Sequence, residues 1–472
     1  MWESPVTAHP QWNVAEDDIL HADAEQVATL RSRLLADQLT VMSRASPRYG
    51  ALLARVGSVD SARRRGSSAF DVLAELPLTT KADFLRDPES FRLRLGRDDS
   101  HEDRALAYLI YTTGTTSGDP APLYVTTSDD WAYLLHARRC ARMLGLGDQE
   151  VIANLFPLTP FPMGARIRAD RTAAAIGASV VQGHTGRPHH IWPVHRRLDA
   201  AIDLMAAHRV TVLWGVAGFV RRLLVRAGER GVALPTVRWC FITGEATSAA
   251  GIADLNDRLG SVGAPHARVV NRYGSTEGWS LIPCGDGHGW HNPTPELMML
   301  EVVDPETGAT LPDGEVGHLA LTHLRTRGTA FLRYVVGDVV AMSREICAGC
   351  GRTSERVVTP PVRRSHLLKV NGTLVNVDAL ADAVRGLRGV VEHRVVLEHR
   401  VAGDAMSGDH VVVELAPERG GDVESLMAAT TETVRAVAHL TPTVRVVAAD
   451  DIYAPIRDAK PRRVVDRRVR PD

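Results

Sequence analysis

The chain has 472 residues, 44% hydrophobic and 24% charged, with 55 Lys and Arg against 56 Asp and Glu. That length accommodates two or more domains with buried cores, and the balanced charge offers no basic surplus for nucleic acid or an anionic membrane. The start, Met1-Trp2-Glu3-Ser4-Pro5, has no basic stretch leading into an apolar one, no apolar run approaches a membrane span, and five cysteines make no disulfide framework, so the cytoplasm is the expected compartment.

From Asp17 to about Gly57, Leu30, Leu34 and Leu35 recur at helical spacing, with Pro47 and Gly50 as breakers. Leu76-Pro77-Leu78-Thr79-Thr80-Lys81-Ala82-Asp83-Phe84 reads as a turn into a helix, Thr80 and Asp83 forming a capping-box pair. The strand-like stretch Ala105 to Ile110 then runs into Tyr111-Thr112-Thr113-Gly114-Thr115-Thr116-Ser117-Gly118-Asp119-Pro120. Such a loop can aim successive N–H groups and hydroxyls at one anion, because glycine tolerates positive φ and carries no side chain to block the approach. It reads as a polyphosphate cradle. It is not the usual P-loop, since no Gly-Lys-Ser/Thr closes it and no helical pattern follows directly.

Between Val151 and about Val270, strands and helices alternate. Strands are expected at Val151 to Leu155, Ala178 to Val181, Val210 to Val216 and Val237 to Ile242, with helices at Ile167 to Ile176, Leu198 to His208 and Phe219 to Arg230. Alternation at this pitch implies βαβ units and a helix-covered parallel sheet, whose ligands sit beyond the carboxyl ends of the strands. Gly244 and Glu245 follow the last of those strands, either as backbone sandwiching a flat purine or as a turn in which Glu245 caps a helix. Beyond Pro360-Pro361, short strands (Val395 to Leu397, Val411 to Leu415, Val444 to Val447) and helices (Val377 to Leu387, Val423 to Leu440) predict a small α+β unit.

Asn271-Arg272-Tyr273-Gly274-Ser275-Thr276-Glu277 matches the "N-x-Y-G-x-T-E" signature of the adenylate-forming superfamily, which activates carboxylates with ATP. The hydroxyl-rich run resembles that superfamily's phosphate loop, and "LPLTTKADF" is similar to the lead-in of its phenylacetate–CoA ligase-like members. The resemblance runs from about Leu76 to Arg468, with the motifs in the family's order. It implies that Tyr273 stacks on adenine, Thr276 contacts the α-phosphate and Glu277 holds Mg²⁺, a hard cation suited to carboxylate oxygen. Leu332-Arg333-Tyr334-Val335-Val336-Gly337-Asp338 resembles "R-Y-x-T-G-D", whose Asp takes both ribose hydroxyls; Val336 replaces the Thr. Arg333 would be a phosphate or ribose contact, or a surface cation. The linker motif falls on Arg363, or Arg364 with a one-residue shift, with Ser365 at the hinge Asp. Lys460, within Arg457-Asp458-Ala459-Lys460-Pro461, aligns with the adenylation lysine, a mobile cation for the attack on phosphorus.

Cys284, His291, Cys347 and Cys350 offer a Cys₃His set for structural Zn²⁺; unligated thiols, His288 in place of His291, and a redox sensor are the alternatives. Cys140 and Cys240 are expected in the core. The fold implied is α/β: a large N-terminal domain (1–362) of layered sheets covered by helices, and a small mobile α+β domain (363–472). The reaction implied is acyl-adenylate formation from ATP, Mg²⁺ and an aryl or mostly apolar carboxylic acid, then transfer to CoA. A carrier-protein pantetheine or a nitrogen nucleophile are other acceptors, a homodimer is a possible assembly, and a lapsed nucleotide-binding homologue is the opposing reading, favoured by Val336 and Ser365. Pocket candidates are Phe156 to Gly164, Gln182 to His184, Trp214 to Phe219 and Gly278 to Leu281, with His184, His189 and His190 read as solvated or core rather than catalytic.

Overall fold

The computed structural model describes residues 18–57, 66–112, 120–159, 161–186, 196–245, 247–285, 287–363, 367–370, 373–401, 407–454 and 461–468. Two compact units emerge: Met1–Glu150 with Phe161–Ser179 and Arg272–Pro361, and Val151–Pro160 with Val180–Asn271 and Val362–Asp472. The class is mixed α/β with several sheets, as expected.

In the first unit the helical pattern near the start resolves into two helices. Asp23 opens Ala24–Ala45 through a reciprocal cap with Gln26, and Ser46 caps the second, Pro47–Val56. Pro47 occupies the first turn, where its missing N–H costs no helical bond. The helix Lys81–Arg86 begins with the Thr80–Asp83 box, both reciprocal bonds present. Phe84, Phe91 and Phe331 meet at centroid distances of 5.2–5.4 Å and anchor these helices to the unit's core.

The strands Leu106–Tyr111 and Pro122–Thr126 form an antiparallel hairpin in which Tyr111 pairs with Pro122, so the hydroxyl-rich run is the hairpin's loop. An antiparallel sheet follows in the order Met298–Val303, Val316–His323, Tyr334–Ser343, Arg356–Val357, Trp290–His291, Ile282–Pro283. Met298–Val303 is buried along its whole length, so it shows no alternation by which sequence reading could find it.

In the second unit, the strands run Ser179–Gln182, Val151–Asn154, Val212–Val216, Trp239–Thr243, Arg268–Asn271, the last four paired in parallel. The first four are the predicted strands, with ends moved by one or two residues, and Arg268–Asn271 adds a fifth at the edge. The C-terminal part of the unit places Val390–His399 between an antiparallel partner, Asp409–Pro417, and a parallel one, Val464–Asp466, with Thr443–Val446 at the far edge. Helices Val377–Arg385 and Val423–Ala438 contribute Leu380, Val384 and Val434 to a core with Val395, Leu397, Val413 and Leu415. Cys140 and Cys240 are both buried, and burial raises their thiols to about 11 and about 12. Among the described residues, no helix is long and apolar enough to cross a membrane.

Candidate active site

In the first unit, the neck of the hydroxyl-rich loop is closed at Thr112. Its N–H donates to the Ala121 carbonyl at 3.0 Å, and its hydroxyl accepts from the Ala121 N–H at 3.0 Å. Thr113 to Asp119 lie outside the described residues, so the predicted contacts of Thr113, Gly114, Thr115, Thr116, Ser117 and Gly118 do too. Tyr111 donates its N–H to Pro162, next to the helix Gly164–Ile176. A Cβ on Gly164 would lie 3.2 Å from Ile110 and 3.3 Å from the Thr276 methyl group. The strand entering the loop and the signature segment therefore share one crowded point.

The signature segment is held from several sides. Tyr273 pairs its backbone with Leu281, and a Cβ on Gly274 would sit 2.9 Å from the Trp279 carbonyl and 3.0 Å from Ser280 Cα, so only glycine fits this turn. The Ser275 hydroxyl accepts from the Gly278 N–H at 2.9 Å. Arg168 donates one guanidinium nitrogen to the Ser275 carbonyl and the other to that of Thr276, both at 2.9 Å. Its guanidinium also lies 5.6 Å from the centre of the Tyr133 ring. Burial lowers the basicity of this guanidinium. A pocket bordered by Tyr108, Tyr133, Arg168, Thr276, Glu277 and His323 opens beside these contacts.

Glu277 is buried, and its Oε1 accepts the Tyr334 hydroxyl at 2.9 Å, with the Lys81 ammonium 3.9 Å away. His323 contacts the Glu277 carbonyl at 3.0 Å, and burial lowers that imidazole to about 4, so it stays neutral. Tyr273 donates its hydroxyl to Asp338 Oδ2 at 2.7 Å, joining the predicted base-stacking ring to the predicted ribose acceptor. Asp338 is buried.

The other predicted residues are placed as follows. Arg272 is buried in the first unit, where its charge acts on Cys140 and His136. Arg333 is buried at a backbone φ of 46°, its guanidinium donating to the Ala74, Leu76 and Gly308 carbonyls. That engagement makes it a brace for the Leu76 turn. In the second unit, Asn271 donates to the Thr247 carbonyl at 3.3 Å. Gly244 takes a φ of 82°, and Glu245 accepts the Gly218 N–H at 2.9 Å. Arg363 is exposed. Lys460, Arg364, Ser365, His189 and His190 lie outside the described residues.

Residues 52–323, well over half of the chain, match the AMP-binding enzyme family. The chain belongs to that family. The expected adenylate-forming enzyme of the phenylacetate–CoA ligase-like branch is met. A phenylacetate–coenzyme A ligase of Thermus thermophilus is 25% identical over 388 residues, covering 80% of this chain and 79% of that protein. A 2-hydroxyisobutyryl-CoA ligase in its postadenylation state, 16% identical, superposes with a TM-score of 0.77 over 98% of this chain and 95% of that one. ATP-bound MatB from Rhodopseudomonas palustris, 20% identical, gives 0.51 over 80% of this chain and 68% of its own. These likenesses to solved structures establish the shared fold.

The enzyme's first unit also gathers Cys284, His291, Cys347 and Cys350, whose ligand atoms all lie within 4.8 Å of one another. The Cys284 and Cys347 sulfurs are 3.7 Å apart, and Cys350 Sγ is 3.5 Å from His291 Nε2. A tetrahedral Zn²⁺ with bonds of about 2.3 Å to sulfur and about 2.0 Å to nitrogen requires edges of about 3.8 and about 3.5 Å. The donors fit the ion. His291, not His288, is the nitrogen donor of the set, and its Nδ1 faces the Ser354 hydroxyl at 3.5 Å. Burial holds His291 down at about 4, the neutral form a metal needs, and raises the Cys284 thiol to about 12.

Sequence reasoning assigned no role to Arg168, Tyr334, His323 or Lys81. Tyr334 and Lys81 stand inside motifs that were singled out for other residues. Arg168 and His323 gave no signal, since each meets the signature segment only through the tertiary fold.

Proposed function

We propose that the enzyme activates a carboxylic acid with ATP and passes the acyl group to the thiol of coenzyme A. The observation that carries this reading is the junction of Tyr273, Asp338 and Glu277 beside the neck of the hydroxyl-rich loop, in one unit. In the first step a carboxylate oxygen attacks the α-phosphorus, the α–β phosphoanhydride bond breaks, and pyrophosphate leaves. In the second the thiol attacks the acyl carbon and AMP leaves with the bonding electrons.

Tyr273 would stack on adenine and Asp338 accept the ribose hydroxyls, the Tyr273–Asp338 bond fixing ring and carboxylate relative to each other. Thr276 would meet the α-phosphate, and Arg168 sets the backbone that presents it. Glu277 is the carboxylate that would hold Mg²⁺, which when bound neutralises phosphate charge. Lys460 would offset charge on the attacking carboxylate, delivered by residues 363–472 as a small turning domain, with Arg363 at its start. Much of the acceleration comes from holding both reactants in line. Zn²⁺ at the Cys₃His set would be structural, pinning Cys284 and His291 to the Cys347–Cys350 turn.

The CoA acceptor is supported by the names of the Thermus relative and the 2-hydroxyisobutyryl-CoA ligase, and an aryl or mostly apolar acid by the phenylacetate of the former. The test is ATP–pyrophosphate exchange across a panel of acids, followed by product mass with and without CoA. Acid-dependent exchange and a CoA thioester are expected. Nucleotide binding without exchange for any acid would overturn the reading in favour of a lapsed homologue.

A further inference from the structure

Tyr273 and the Cys₃His set meet through one short stretch of chain. Tyr273 exchanges two backbone hydrogen bonds with Leu281, its N–H donating at 3.3 Å and its carbonyl accepting at 2.6 Å. Leu281 leads directly into Ile282–Pro283, and Cys284 follows. The returning strand, Trp290–His291, sets the Trp290 indole edge-on to the Tyr273 ring, with centroids 6.3 Å apart and planes at 64°. The residue after Trp290 is His291, the nitrogen donor of the set. Resting on the adenylation reading above, we propose that this metal-tied hairpin orients Tyr273 toward the nucleotide base, with Trp290 as the positioning residue.

Three features carry this. First, the hairpin is too short to hold itself. Ile282–Pro283, Trp290–His291 and Arg356–Val357 pair side by side, yet each strand has only 2 residues, and Pro283 has no N–H to give to the ladder. Strand pairs of this kind are marginal in water without a tie from elsewhere. The four donors supply one: Cys284 leaves the first strand, His291 ends the second, and Cys347 and Cys350 lie on the turn ahead of the third. Second, both contacts to Tyr273 stand close to a donor in the chain, Leu281 shortly before Cys284 and Trp290 next to His291, so a loosened hairpin reaches the ring directly. Third, the Tyr273 hydroxyl is already bonded to Asp338, 2.7 Å away. A ring fixed at its Cβ and at its oxygen still turns about the line joining them, because χ2 of tyrosine is a broad torsion. Stacking on a flat base requires that rotation to be fixed, and an aromatic edge against the ring fixes it.

The experiment measures zinc content and AMP affinity for the wild-type chain, Trp290→Leu, Trp290→Phe, Cys350→Ser and the Trp290→Leu/Cys350→Ser double variant, with circular dichroism to show that each is folded. Trp290→Leu keeps apolar bulk and loses the aromatic edge; it should retain its zinc and weaken AMP by about threefold to tenfold, while Trp290→Phe stays near wild type. Cys350→Ser should lose zinc and weaken AMP to a similar degree, and the double variant should be no worse than Cys350→Ser, because both changes release the same ring. Unchanged AMP affinity in either folded single variant, Trp290→Leu or zinc-depleted Cys350→Ser, overturns the proposal. Equal weakening by leucine and phenylalanine does so too, since it marks Trp290 as packing alone. Cys350→Ser leaves Trp290 in place and decides the matter where Trp290→Leu fails to fold. Zinc-free wild-type protein that binds AMP overturns the metal's part. A wild-type chain that binds no AMP instead removes the adenylation reading itself, and that is seen before any variant is made.

Discussion

Replacing Arg168 by methionine tests whether the signature segment is positioned from behind. The guanidinium makes two hydrogen bonds of 2.9 Å to consecutive carbonyls, those of Ser275 and Thr276. Hydrogen bonds from a charged donor contribute about 1.5–3 kcal/mol each. The pocket beside Arg168 admits water that would partly satisfy the two carbonyls, so about 3 kcal/mol is a fair net loss for the pair. It would be felt at the Thr276 hydroxyl and the Glu277 carboxylate, which follow directly in the chain. At about 1.4 kcal/mol per decade this is roughly a 10²-fold drop in ATP–pyrophosphate exchange. Arg168→Lys can restore one of the two bonds and should fall between. The assay is exchange at saturating acid, with circular dichroism to show that each variant is folded. A folded Arg168→Met enzyme exchanging within threefold of wild type would refute the reasoning.

Gly274→Ala should lower exchange by more than roughly tenfold and raise the KM for ATP, since a Cβ 2.9 Å from the Trp279 carbonyl must push the Tyr273 turn off its pairing with Leu281. Metal analysis should find one Zn²⁺ per chain that a chelator strips only on unfolding, and Cys350→Ser should lower both zinc content and Tm; metal-free protein with wild-type Tm would refute the site. Burial raises the Asp382 carboxyl from 3.8 to about 6, despite Arg385 2.8 Å away. The folded state therefore favours the proton; that contribution is fully present below about pH 4 and is lost as pH rises through 6. Asp382→Asn should accordingly stabilise the protein by on the order of 2–3 kcal/mol at pH 8 and have little effect at pH 4, as urea midpoints at the two pH values would show.

The parallel sheet and the C-terminal α+β part were legible because their signals are local. Val212–Val216 and Trp239–Thr243 are apolar runs bounded by turns, and each helix between them shows its own period. The antiparallel sheet of the first unit was not, because Met298–Val303 is buried on both faces and has no alternation to read. The Thr80 cap was visible since its partners stand three residues apart, whereas the Arg168 contacts span 107 and 108 residues.

By itself the order of residues determined the chemistry available: a hydroxyl-rich stretch, the Tyr273 to Glu277 signature, Asp338 and four Cys and His side chains of metal-ligating type, each recognisable because residue type at short spacing is what marks it. Only the tertiary structure decided who meets whom. It bonded Tyr273 to Asp338 across 65 positions, chose His291 over His288, withdrew Arg333 into a brace, and set Lys81 beside Glu277. Those outcomes rest on packing between segments far apart in the chain, and long-range packing leaves no periodic trace in the residues that it joins.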